Sequence, residues 1–153
     1  MVLLLVMAVV PLFSMAHASR PSNGSGGFTA TSTPTNVRMA GPNTIVHAKS
    51  SFTATGTFAG PCDGTTDAVT LASGRAITHG VCTFTGSVND KSGTAVFRFQ
   101  ATGQGPSFHG TFVLGDGSGG LAGLHATGTF RGMAIGPGSS MGTYTAQVEI
   151  GPT

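Results

Sequence analysis

A chain of 153 residues with seven Lys and Arg, five Asp and Glu and a formal net charge of +2 can hold one domain around one core. Charged residues make up only 8% of it, and its basic residues (Arg20, Arg38, Lys49, Arg75, Lys91, Arg98 and Arg131) form no run or stripe, so a nucleic-acid or anionic-membrane partner is not suggested. Gly, Thr and Ser take the place of charge, and nine of the ten Phe lie beyond position 18; this composition favours strands and tight turns over disorder.

In chain order, Val2 to Phe13 is an apolar run followed by Ala16-His17-Ala18, small residues where a signal peptidase reads. Residues 1–18 therefore read as a secretory signal peptide, although no Lys or Arg precedes the run. About 12 apolar residues fall short of the roughly 20 that span a bilayer, so no stable membrane span is expected after cleavage. Secretion, extracellular or periplasmic, is the expected localisation. Residues 19–27 are polar and glycine-rich and read as a flexible leader. The domain is expected over residues 28–153.

Phe28 to Ser32 alternates as a first strand, which Pro34 is expected to end. Thr44 to Phe58 alternates at length, with Val46, Ala48, Phe52, Ala54 and Phe58 on one face, as one bent strand or two strands broken near Ser50-Ser51. Gly60-Pro61-Cys62-Asp63-Gly64 reads as a turn. Thr66 to Leu71 and Ala76 to Gly86 flank Ser73-Gly74-Arg75 as a hairpin. Asn89 to Gly93 reads as a loop, and Thr94 to Thr102 as a strand with Ala95, Phe97, Phe99 and Ala101 on one face. Phe108, Gly110, Phe112 and Leu114 then share a face, with His109, Thr111 and Val113 opposite. Gly115 to Gly120 reads as a glycine loop that breaks this strand. Leu121-Ala122-Gly123-Leu124 re-enters the core, and His125 to Phe130 alternates again. Gly136 to Gly142 is a further loop before a last strand carrying Tyr144, Ala146, Val148 and Ile150 on one side.

Cys62 and Cys82 are the only cysteines. In an oxidising compartment an even pair reads most simply as a disulfide, and the hairpin places the two on neighbouring strands. A metal site is the weaker reading, because CxxC spacing is absent and only His79 lies close in sequence.

Paired aromatics within one run are an even number of residues apart: Phe52/Phe58, Phe97/Phe99, Phe108/Phe112. Period two places each pair on one face of its strand. A sheet curled around its aromatics requires this pattern, and no helical period appears after the signal peptide. The expected fold is all-β, an eight-stranded antiparallel barrel that closes its own edges, with a two-sheet sandwich as the alternative. Ala54-Thr55-Gly56-Thr57-Phe58 recurs as Ala126-Thr127-Gly128-Thr129-Phe130, which pairs the two runs as similar staves of the barrel.

The order Lys91 to Phe97, Gly110 to Val113, Gly117 to Phe130 and Gly142 to Tyr144 resembles uncharacterised bacterial secreted proteins with an allene oxide cyclase-like β-barrel domain. The likeness covers about Phe28 to Ile150. It implies a calycin-like eight-stranded barrel with a central cavity. It implies no function, and the plant cyclases' catalytic polar groups match no position here, so no catalytic residue is assigned.

Two motif strings lack their structural context. Gly115-x-Gly117-x-x-Gly120 needs a following helix to hold a dinucleotide, and a strand follows instead. Gly138-x-Ser140-x-Gly142 needs a strand-to-helix elbow. His47, His109 and His125 fall opposite the Phe face, so no metal site is expected. No cofactor is expected either, and paired carboxylates for acid–base work are lacking. What remains is the inward set Phe52, Phe58, Phe84, Phe97, Phe99, Phe108, Phe112, Phe130 and Tyr144, an apolar lining for one small apolar ligand. A filled structural or surface-associated barrel and an isomerase or cyclase are the alternatives. The oligomeric state is not legible.

Overall fold

The computed structural model describes residues 20–152; the expected signal peptide lies outside the described residues. Eight antiparallel strands follow one another round a closed ring: β1 (Ser22–Ala40), β2 (Asn43–Ala54), β3 (Phe58–Thr70), β4 (Arg75–Val88), β5 (Lys91–Gln104), β6 (Ser107–Gly119), β7 (Leu124–Gly136) and β8 (Ser139–Ile150). Each strand pairs with its chain neighbours, and β8 returns to β1. The all-β barrel expected from the period-two pattern is the observed fold, and closure leaves no sheet edge unpaired.

Local expectations are corrected at several places. Gly136 to Gly142, read as a loop, is mostly strand, with only Pro137 and Gly138 between β7 and β8, and β2 runs unbroken through Ser50 and Ser51, the chain turning instead at Thr55 to Thr57. Ser22 to Gly27, read as flexible leader, is the first part of β1 and pairs with Thr143 to Val148 of β8. Its glycines let β1 lie close to the chain: a Cβ at Gly26 would collide with the Tyr144 ring and the Thr55 carbonyl. Pro34 does not end β1. An extra residue there shifts the register between Pro34 and Asn36, so the strand passes the proline through a bulge. Gly60 to Gly64 is no turn; it lies inside β3, where the β3–β4 pairing skips only Gly60 and Pro61, the latter having no N–H to donate. Finally, β6 continues to Gly119, with a register shift opposite Thr94 and Val96 and Asp116 at φ 51°. Only Gly120 to Gly123 connects β6 to β7.

The two Ala-Thr-Gly-Thr-Phe copies are not similar staves. In the first, Thr55, Gly56 and Thr57 form the β2–β3 turn, with Gly56 at φ +89°. The second lies wholly inside β7.

The core fills one end of the barrel. Leu114, Leu121, Leu124, Val88, Ala95, Ala126 and Val148 are each no more than 4% exposed. Leu121 enters from the β6–β7 connection, which folds back under Gly120 N–H···O Ser92 (2.8 Å) and Leu124 N–H···O Leu121 (3.0 Å). The connections at this end are β2–β3, β4–β5 and β6–β7. Those at the other end are β1–β2, β3–β4, β5–β6 and β7–β8, and there the interior stays open.

Candidate functional site

The interior above the plug is a cavity of about 660 Å³. All nine residues expected to face inward line it, and Phe28 joins them. Phe28 shares parity with Ala30 and Ser32 on the strand expected over Phe28 to Ser32, a signal present in the sequence but not carried into the inward set. The rings form two levels. Phe58, Phe84, Phe112 and Tyr144 are buried next to the plug, whereas Phe28, Phe52, Phe97, Phe99, Phe108 and Phe130 are only partly covered and wall the open space. Several meet edge to face, as in Phe52–Phe99 (5.4 Å) and Phe28–Phe130 (6.0 Å), an arrangement their ring quadrupoles favour.

The rings stay against the wall because glycines make room for them. Phe28 lies directly opposite Gly142, Phe99 opposite Gly80, Phe108 opposite Gly132, Phe112 opposite Gly128, Phe130 opposite Gly110 and Tyr144 opposite Gly26. At each of these glycines an added Cβ would run into the opposing ring. A ring that covers a cross-strand glycine occupies the volume of two side chains on one patch of wall. The middle of the barrel is thereby left empty, although eight strands enclose a lumen that ordinary side chains would fill.

Cys62 on β3 and Cys82 on β4 form a disulfide with Cα atoms 5.5 Å apart. Both face inward and are buried, and Cys62 contributes to the cavity wall. Such a bond is suited to an oxidising, extracytoplasmic setting.

Hydroxyls line the upper wall at Thr33, Thr78, Ser107, Ser139 and Ser140, and two hydrogen-bonded polar groups are built into the interior. Tyr144 donates its hydroxyl to the Thr55 carbonyl (2.7 Å) and accepts from the Phe58 N–H (2.9 Å). Burial raises its pKa above the usual value, with the Phe58 hydrogen bond opposing. This hydroxyl is committed to holding the β2–β3 turn. Higher on the wall, the Ser32, Ser50 and Thr66 hydroxyls of β1, β2 and β3 form a chain, with contacts of 2.9 Å and 2.8 Å. Three hydroxyls joined by two bonds use two of their three protons, so one O–H remains to donate. Ser32 and Thr66, the ends of the chain, both line the cavity. Sequence reasoning missed this chain, although Ser50 stands in phase between Ala48 and Phe52.

No Asp, Glu, Lys, Arg or His lines the cavity. His47, His79, His109 and His125 are exposed on the outer wall, His47 in contact with Asp67. Among the described residues, no three His, Cys, Asp or Glu side chains come together as metal ligands. The arrangement can enclose an uncharged, largely apolar molecule and offer it hydroxyl groups toward the mouth; it presents no charged group to move a proton.

No family model and no curated protein matches the sequence. Among solved structures, the chain is similar to a protein of unknown function of the DUF3224 family from Shewanella oneidensis MR-1. The TM-score is 0.69 at 19% identity, over 87% of this chain and 99% of that one. At that identity the likeness concerns the fold alone.

Proposed function

We propose that the protein is a secreted binding barrel for one small, neutral, largely apolar molecule. The observation that carries this reading is the ring-walled cavity of about 660 Å³, open at one end and free of charged side chains. Such a volume lies within the range of small-molecule pockets. At roughly 30 Å³ per atom-sized unit of liquid it has room for on the order of twenty non-hydrogen atoms. The hydroxyls of the upper wall, the Ser32–Ser50–Thr66 chain among them, favour a ligand with an uncharged acceptor, a hydroxyl, carbonyl or ester, near the mouth. An ionised head placed there would lose its hydration without a counter-charge. The leader over residues 1–18 and the disulfide support secretion, and the resemblance to allene oxide cyclase-like barrels accords with a lumen that holds a guest.

Uptake of N-phenyl-1-naphthylamine, a neutral apolar dye, tests the reading. The protein should enhance its fluorescence saturably at one dye per chain. Ala101→Phe, which places a fifth ring on the β5–β6 wall of the cavity, should abolish uptake while the near-ultraviolet circular dichroism stays folded. Absence of uptake by the folded parent chain, together with native mass spectra free of any retained small molecule, would overturn the proposal.

A further inference from the structure

The large apolar side chains exposed on this protein are not spread evenly. Of the seven that stand out, Val37, Met39, Met133, Ile135 and Met141 belong to the end where the cavity opens, and only Val81 and Val113 sit on the outer waist. Two bulges place Val37, Met39 and Ile135 there. The extra residue in β1 reverses the parity of its tip, so Val37 pairs with Val46 and Met39 with Thr44, on the face that continues the cavity wall. The extra residue in β7 falls at Ile135, between Ala134 and Gly136. Met133 and Met141 are directly opposite one another just below it.

Acids largely avoid this end, while bases stand at both, with Arg20 and Lys91 at the plugged one. Arg38 on the β1 tip, Arg75 at the start of β4 and Arg131 beside Met133 all belong to the open end, although the sequence scatters them. The only acid in that half is Asp67, which is in contact with His47. Asp63, Asp90, Asp116 and Glu149 belong to the plugged half, where Asp116 is paired with Arg98.

We infer that the open end docks on an anionic lipid surface, with Val37, Met39 and Ile135 entering the acyl boundary and Arg38, Arg75 and Arg131 meeting the headgroups. Apolar insertion and attraction to anionic lipid are the two contributions that hold a protein in a membrane interface. A second copy of the chain is the less suitable occupant, because a mouth-to-mouth dimer would set these arginines against their own equivalents. The wall itself is no lipid-facing surface: its outward positions carry residues such as Thr53, Thr83, Gln100, Thr111, Thr127 and Gln147. Docking by the mouth would let an apolar molecule pass between bilayer and cavity without crossing water. The docking inference does not depend on what the cavity holds.

Flotation with vesicles tests it. The protein should float with phosphatidylcholine–phosphatidylglycerol vesicles at low salt, float little with phosphatidylcholine alone, and be released as salt screens the headgroups. Arg38→Gln, Arg75→Gln and Arg131→Gln should each weaken partitioning about fivefold. The triple variant Val37→Ser/Met39→Ser/Ile135→Ser should abolish it, whereas Val81→Ser should not change it. Dye uptake by these variants should match the parent, which separates failure of docking from failure of the cavity reading. Lack of flotation at low salt, or a sedimentation-detected dimer abolished by the triple Ser variant, would overturn the inference.

Discussion

The two ends of the barrel are made from the same kind of hairpin yet differ in what their inward positions carry. At the plugged end Val88, Leu114, Leu121, Leu124 and Val148 exclude solvent. At the open end the inward positions are Ala76, Ala101, Gly103, Ala134 and Ser140, and the large apolar residues sit on the tips instead. A barrel of this size needs only one cluster of close-packed aliphatic side chains to hold its ring shut. Concentrating that cluster at one end frees the other to remain open, so that stability and access reside in different residues.

This contrast can be broken most directly at Leu121. Leu121→Ala should cost about 2–5 kcal/mol in urea denaturation, since it leaves a cavity in the best-packed region. Equal loss from Met39→Ala would mean that the mouth is part of the core. Replacing both Cys62 and Cys82 by Ala should cost about 2–5 kcal/mol in the same measurement, with the fold otherwise retained because the closed sheet does not depend on the bond for its pairing.

Smaller effects sharpen the picture. Gly128→Ala should cost about 1–3 kcal/mol by overpacking against Phe112 and should also reduce dye uptake as the ring is pushed into the lumen. Gly136→Ala at the mouth, where an added Cβ meets nothing within 4 Å, should be silent in thermal melts. Tyr144→Phe should cost about 1–3 kcal/mol by leaving the Phe58 N–H and Thr55 carbonyl without their partner. Because burial holds the folded-state pKa of Tyr144 above its unfolded value, the folded chain keeps the proton that the unfolded chain releases above about pH 10. Stability should therefore be fully present below that pH and fall as pH rises past it, a decline that Tyr144→Phe should flatten. Met39→Ala should shift stability by less than about 0.5 kcal/mol.

Much of the site was legible because a strand's side-chain period is two. Parity alone picked out Phe52, Phe58, Phe84, Phe97, Phe99, Phe108, Phe112, Phe130 and Tyr144 as one inward set, and the same parity within the expected strands also covers Phe28 and Ser50, which the inward set left out. Loops inferred from glycine were less dependable. Gly26, Gly80, Gly110, Gly128, Gly132 and Gly142 mark no turns; each is the seat of a ring on the next strand. The repeated Ala-Thr-Gly-Thr-Phe shows why. Gly56 turns the chain and Gly128 lies flat under Phe112, with identical neighbours on both sides, so the difference comes from what each copy is paired with.

By itself the sequence determined the strand periodicity, the face that carries the rings, the antiparallel barrel and the cysteine pair, because each depends on alternation or on composition along the chain. Only the tertiary structure decided which glycine lies beneath which ring, that Leu121 stops one end, and that three scattered arginines gather with Val37, Met39 and Ile135 at the other. Those outcomes depend on cross-strand register and on bulges that reverse parity. Register is set by how all eight strands close together, with β8 meeting β1, and no local stretch of residues encodes that.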